Sequence, residues 1–344
     1  MNFVARKSDI FHGLQTAFSA ISTRATLPIL SNFLLETSKD QVRLTATNLE
    51  VSIVCAFPAE VHATGSVTVP AKKIVDIVRE LPDEDIDVKV SDNHQITVTC
   101  GKSLFRLNGL PKDEYPVLPK WKKEDGFELP QVLLHDMIRK TLFAVSTDET
   151  RYVLNGVLIS LEKKQFRMIA TDGHRLAYKE TLLASDPKVS FHQIVPSKAL
   201  QELLKIMSGE GHVNLQLHDN QIIFSSPEIV LMSRLIDGQF PNYDQVIPKT
   251  HTLRIESNVD GFMSATKRVA LMASDKSNSV KYQFTRGMLT ITANTPEIGD
   301  AQEEMEVAYE GDALTVAYNA KYILDVLKNI GTERFVFELT SNLN

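Results

Sequence analysis

The sequence predicts an α+β protein assembled from three copies of one domain, and three observations carry that expectation. The chain has 344 residues, 43% of them hydrophobic and 23% charged, enough for two to three domains of roughly 150 residues each. It repeats itself at a period of about 124 residues. That period is far longer than those of solenoids, so whole domains recur. Each copy mixes segments of helical periodicity with alternating, strand-like ones.

Each copy opens with a short strand and a helix, from Phe3, Phe127 and Leu253, predicting helices over 8–20, 131–143 and 259–272. The helical period is clearest at Leu133, Leu134, Met137, Ile138 and Leu142. A β-like run ending in a turn follows, LTATN at Leu44, MIATD at Met168 and TITAN at Thr290, with Ala46, Ala170 and Ala293 in register. A second helix then reads KKIVDIVREL at Lys72, KALQELLKIM at Lys198 and KYILDVLKNI at Lys321, predicting helices over 71–80, 197–207 and 319–329. Its apolar positions Ile77, Leu203 and Val326 coincide, as do the acids Asp76, Glu202 and Asp325 and the bases Arg79, Lys205 and Lys328. Alternating segments such as 95–100 and 213–217 suit strands with one buried face.

The first two copies close on similar strings, RLNGLPKDEYPVLP at Arg106 and RLIDGQFPNYDQVIP at Arg234. The third copy stops soon after FVFEL and is expected to lack its last two strands, the counterparts of 222–224 and 229–236. Connectors at 116–126 and 246–252 set expected domains at 1–122, 123–249 and 250–344.

Two cysteines, Cys55 and Cys100, both in apolar β-like stretches, read as packed reduced thiols rather than a disulfide framework. Arg6, Lys7, Asp9 and His12 interrupt the first twenty residues, and no window of 18 apolar residues occurs, so a cytoplasmic protein with no membrane partner is expected. The net charge of -6 argues against a surface that grips nucleic acid everywhere. The six predicted helices nevertheless hold 11 Lys or Arg against 7 Asp or Glu, a net of +4, leaving -10 for the remainder. Such a division offers phosphates a helical face while repelling them elsewhere. The bland alternative is that Lys72, Asp76 and Arg79 form an ordinary solvated face with local ion pairs.

Cys100-Gly101-Lys102-Ser103 resembles the end of a phosphate-binding P-loop, but Ile96 stands where the motif's first glycine belongs. GxGxxG, HExxH, CxxC and GxSxG are absent, and the nine histidines show no metal-ligand spacing; no cofactor, metal or catalytic residue is expected. The sharpest string is Ala170-Thr171-Asp172-Gly173-His174-Arg175-Leu176. One reading is a simple turn made by Asp172 and Gly173. A second is an acid/base pair of Asp172 and His174, which has no nucleophile beside it. A third is a recognition surface presenting free N–H groups, one cation at Arg175 and one apolar contact at Leu176.

Several longer strings, LPILSNFLLE at Leu27, VTVPAKK at Val67, RYVLNG at Arg151, ATDGHRLA at Ala170, DGQFPNY at Asp237 and ITANTPE at Ile291, occur in one order through the chain. Together they resemble the bacterial sliding clamps, the beta subunits of DNA polymerase III. The resemblance implies three α+β clamp domains per chain and two chains closed head to tail into a ring, helices inside and antiparallel sheets outside. It implies a non-catalytic processivity factor that encircles double-stranded DNA without regard to sequence. The implied partners are a second copy of the chain, the polymerase III alpha subunit, the clamp loader complex, and repair polymerases, mismatch-repair proteins and ligase.

Residue by residue, the family's peptide-binding pocket falls on Leu154, Thr171, Gly173, His174, Arg175, Leu176, Pro241, Gln245 and Val246, with Gln245 standing where some members carry Arg. DNA contacts fall on Arg24, Lys72, Lys73, Arg79, Arg151, Tyr152 and Lys198, and the chain-to-chain seam on Phe105 against Leu271 and Met272. The alternatives are a peptide-binding scaffold of the same fold that does not load on DNA, and an enzyme built on Asp172 and His174.

Overall fold

The structure is a computed structural model describing residues 1–344 except 22–26, 122–125, 188 and 341–344. Six α-helices occur among the described residues: α1 (Lys7–Phe18), α2 (Ala71–Glu80), α3 (Gln131–Leu142), α4 (Ser197–Ile206), α5 (Val259–Ala270) and α6 (Ala320–Asn329). All six were expected. The ends of α1 and α5 fall two residues short of the sequence expectation. There the backbone tightens into i to i+3 bonds, Ala20 N to Ala17 O at 3.1 Å and Met272 N to Val269 O at 3.0 Å, a common way to satisfy terminal carbonyls.

One strand-to-helix joint recurs in all three copies. Strands Ser66–Pro70, Phe191–Pro196 and Leu314–Asn319 run straight into α2, α4 and α6. Proline can end a strand because it needs no ladder donor there and its φ suits the approach to a helix. In the third copy Asn319 does the work differently, its side chain accepting the Lys321 N–H at 2.9 Å as an N-cap.

The chain divides into two compact units. The first comprises 1–138, 155–167 and 180–238. It contains a five-stranded sheet ordered Glu60–Ala63, Asn2–Arg6, Asp85–Val90, Gln95–Cys100, Ser103–Asn108. An eight-stranded sheet runs Phe127–Pro130, His212–His218, Gln221–Ser225, Ile229–Arg234, Val51–Pro58, Gln41–Thr47, Asn32–Ser38, Ser66–Pro70. At its middle the first and second copies join strand to strand, with Ile229 opposite Cys55 and Ser233 opposite Val51. Strands Gly156–Glu162 and Phe191–Pro196 also pair antiparallel.

Helix burial follows the expected period. α1 buries Ile10, Gly13, Leu14 and Ala17, and α2 buries Ala71, Ile74, Val75 and Val78, both stripes of i, i+3, i+4, i+7. Gly13 is required by close approach, since a Cβ there would lie 2.9 Å from Cδ1 of Phe57. Lys72, Lys73 and Arg79 are left on the solvent side of α2.

The second unit comprises 139–154, 168–179 and 239–344. It holds the antiparallel pair Leu253–Asn258 with Arg334–Leu339, and a four-stranded sheet ordered Gly299–Glu306, Met288–Thr295, Ser279–Thr285, Leu314–Asn319. Its core includes an aromatic cluster in which Phe262 stacks on Tyr282 at 5.5 Å and meets Phe335 edge-on at 5.1 Å. Among the described residues, three strands follow α2 within the first copy and three follow α4 within the second, while one, Arg334–Leu339, follows α6.

Candidate functional site

The turn after strand Gln165–Thr171 is built by its own side chains. Thr171 Oγ1 accepts the Gly173 N–H at 3.1 Å and donates to the Arg175 carbonyl at 2.6 Å. Asp172 Oδ1 accepts the N–H groups of His174 (2.9 Å) and Arg175 (3.0 Å). Gly173 has φ +88°, a conformation that costs any residue with a Cβ.

Two parts of the recognition-surface expectation need correction. The N–H groups of Gly173, His174 and Arg175 are not free, because the Thr171 and Asp172 side chains already accept them. Nor is Arg175 an open cation. Its Nε donates to Asp172 Oδ2 at 3.1 Å, Nη1 to Asp325 Oδ2 at 2.8 Å and Nη2 to the Phe143 carbonyl at 2.8 Å. Its guanidinium also lies over the rings of Tyr322 (4.5 Å) and Phe143 (5.6 Å), leaving the side chain 15% exposed. Both Asp172 oxygens are therefore committed to the turn, an arrangement that serves structure rather than an acid/base pair with His174.

The nine residues assigned to a peptide pocket all fall in the second unit. Leu154 and Thr171 are buried. Gly173, His174, Pro241 and Gln245 are exposed, Leu176 is half-buried, and Val246 is 66% exposed. Tyr178 and Tyr243 approach to 6.0 Å between ring centroids, which brings the segment bearing Pro241, Gln245 and Val246 beside the strand that Leu176 begins.

The candidates for DNA contact separate into two groups. Lys72 and Lys73 on α2 and Lys198 on α4 are exposed. Arg79 is also exposed but pairs with Asp76 at 3.3 Å, as the bland reading expects. Arg151 and Tyr152 stand near the turn instead: Arg151 Nη1 donates to the Asp172 carbonyl at 3.2 Å and its Nε lies 3.6 Å from Asp148, while Tyr152 is 58% exposed. Arg24 lies outside the described residues. For the seam, Phe105 is 38% exposed on Ser103–Asn108, the last strand of its sheet. Leu271 is 79% exposed just after α5, and the half-buried Met272 accepts a hydrogen bond from Thr295 Oγ1 at 2.8 Å.

Sequence reasoning missed Phe143, Tyr322 and Asp325. Asp325 shares its repeat position with Asp76 and Glu202, which pair with Arg79 at 3.3 Å and Lys205 at 2.8 Å three residues on. In the third copy that local partner, Lys328, is 4.0 Å away, and the nearer contact is Arg175. The one available signal was the acid's place in the repeat, and it pointed to a surface pair.

Among the described residues, no group of three His, Cys, Asp or Glu side chains could hold a metal ion, and no helix is long and apolar enough to cross a membrane.

Three family descriptions match consecutive parts of the chain: the DNA polymerase III beta subunit's N-terminal domain over residues 1–119, its central domain over 128–242 and its C-terminal domain over 244–344. A beta sliding clamp of Proteus mirabilis is 35% identical over 347 residues, covering 99% of this chain and 93% of that protein. That of Chlamydia muridarum is 33% identical over 344 residues, covering 100% and 94%. Among solved structures, a Pseudomonas aeruginosa sliding clamp bound to griselimycin superposes with a TM-score of 0.95 at 34% identity, over 99% of this chain and 93% of that one. A Bacillus subtilis sliding clamp gives 0.95 at 31% identity, over 99% and 93%. With the match running through all three repeats, the chain belongs to the DNA polymerase III beta subunit family, the beta sliding clamps.

Proposed function

We propose that two copies of this chain close head to tail into a ring around duplex DNA and tether the replicative polymerase to its template. The observation that carries this reading is the family match through all three repeats, from residue 1 to residue 344. Each chain contributes three domains, 1–122, 123–249 and 250–344. The ring is a processivity factor without catalysis of its own, working in the cytoplasm.

A closed ring reconciles the net charge of -6 with a DNA partner. Topological linkage holds the protein on the duplex, so phosphate contacts need only be weak, and weak contacts permit sliding. Lys72, Lys73 and Lys198, exposed opposite the buried faces of α2 and α4, are the first candidates for those contacts, with Arg24, Arg79, Arg151 and Tyr152 beside them. A bound polymerase then meets the primer end at a raised effective concentration and rebinds the same site after release.

Two sheet edges support closure. Ser103–Asn108 and Gly299–Glu306 each end a sheet, and an open edge is a template for another strand. Their charges are complementary: Lys102 and Arg106 mark the first, Asp300, Glu304 and Glu306 the second. Phe105 of one protomer would seat against Leu271 and Met272 of its partner, giving two identical seams related by the two-fold axis of the ring.

Partners dock as short peptides with apolar anchors on Leu154, Thr171, Gly173, His174, Leu176, Pro241, Gln245 and Val246, with Arg175 holding the turn between them. These partners are the polymerase alpha subunit, the clamp loader complex, repair polymerases, mismatch-repair proteins and ligase. Primer extension tests the whole reading: with a bacterial loader and ATP, the chain should lengthen the products of each polymerase binding event. Unchanged product length under loading conditions would count against it.

A further inference from the structure

Arg175 is held on every side of its guanidinium by its own chain, which leaves little of it for a ligand. The turn and Phe143 supply part of that hold, and α6 supplies the rest through Asp325 and Tyr322. The side chains of Arg175, Asp172 and Asp325 are 15%, 14% and 20% exposed. In such shelter a stacked guanidinium, bonded to two carboxylates and a carbonyl through three different nitrogens, holds one geometry far better than a lysine would. The ion pair joins a residue matched to the family's central domain with one matched to its C-terminal domain, 150 positions apart.

We propose that Asp325 is a positioning residue for the ligand-binding turn: through Arg175 it fixes residues 172–175 in the conformation that presents Gly173 and His174 to a docking peptide. The inference rests on the reading of that turn as a peptide site. Asp172 links the two ends of this relay. Its Oδ2 accepts Arg175 Nε while its Oδ1 accepts the His174 and Arg175 N–H groups, so a shift of the guanidinium pulls directly on the backbone of the turn. Tyr322 caps the guanidinium face at 4.5 Å, excluding water that would otherwise compete for the pair. Arg175 thus acts on the ligand through the turn, and Asp325 of α6 takes part in recognition by way of Arg175.

The test uses the full chain and griselimycin, the compound bound in two of the structural neighbours. Asp325→Asn keeps the shape and removes the charge. It should weaken griselimycin binding at least tenfold and speed hydrogen exchange of the His174 and Arg175 amides, with the thermal melt remaining cooperative. Asp325→Glu should recover part of both losses. Arg175→Lys combined with Asp325→Asn should be no worse than Arg175→Lys alone, a coupling that two independent structural defects would not show. Wild-type affinity and wild-type amide protection in Asp325→Asn would overturn the proposal, as would additive losses in the double variant. A wild-type chain that fails to bind griselimycin would instead remove the peptide-site reading and, with it, the role in recognition, while amide exchange would still report whether Asp325 orders the turn.

Discussion

Leu49 and Gly173 occupy the same place in two copies of one turn. Both have left-handed backbone, φ 74° and 88°, and both N–H groups are accepted by the preceding threonine, Thr47 Oγ1 and Thr171 Oγ1, at 3.1 Å. In the first copy Asn48 Oδ1 accepts the next two N–H groups at 3.0 and 2.8 Å, as Asp172 Oδ1 does in the second. The repeat is therefore preserved at the level of individual hydrogen bonds. A left-handed leucine costs about 1–2 kcal/mol that a glycine avoids, partly offset by glycine's greater loss of freedom on folding, about 0.5–1 kcal/mol. Leu49→Gly should thus leave stability unchanged or raise it by about 0.5 kcal/mol, and Gly173→Ala should lower it by about 1 kcal/mol, in urea unfolding of each variant.

The two capping side chains should differ in weight. Asn48 holds backbone alone, whereas Asp172 also holds a sheltered arginine. Removing Asn48 as Asn48→Ala should cost about 1–2 kcal/mol. Asp172→Ala leaves a sheltered guanidinium short of a partner and should cost about 3 kcal/mol. Equal losses in chemical denaturation would argue that Arg175 draws little from Asp172.

Much of this molecule was legible in the sequence because its signals are local. The stripes Ile74, Val75, Val78 and Leu200, Leu203 mark buried helix faces within ten residues, and their recurrence exposes the repeat. The Asp172-Gly173 turn was legible for the same reason. What was illegible depends on distance along the chain. Nothing near Arg175 signals that Asp325 will reach it, and Asp325 itself looks like the i, i+3 partner of Lys328. Arg268 is a similar case: read as one of the helical cations, it is held by Glu303 across 35 positions. The hydrogen bonds between them keep the Glu303 carboxyl below its ordinary range.

Alkaline stability should reflect buried acids. Burial pushes the Cys55 thiol up to about 12 and the Tyr282 hydroxyl up to about 12, against ordinary values of 9.0 and 10.0. A raised folded value means that the unfolded chain loses these protons first. Stability is therefore fully present below pH 9 and falls between about pH 9 and 12. The urea midpoint should drop across that range, and Cys55→Ala should soften the first part of the fall. At pH 8 a thiol-alkylating reagent should leave Cys55 unmodified in the native chain, since only the thiolate reacts.

The seam should depend on its apolar anchors. Phe105→Ala or Leu271→Ala should weaken each seam by about 2–3 kcal/mol and, with both seams of the ring altered, raise the dimer's dissociation constant roughly 1,000- to 10,000-fold. Sedimentation at low concentration would then show monomer where the wild-type chain shows dimer. An unchanged mass would remove these residues from the seam.

Reversing charge at Lys72 and Lys198 should impair retention on DNA without altering solubility. The salt slope of any residual binding should decrease by about one for each phosphate that the variant no longer neutralises.

Encirclement itself is tested most directly by retention on a nicked circular duplex, loaded with a bacterial clamp loader and ATP and measured before and after the circle is cut at one site. The ring predicts stable retention on the circle that collapses on linearisation, because the protein slides off the ends. Retention that survives the cut would show that the chain grips DNA by contact, and would contradict a topological clamp.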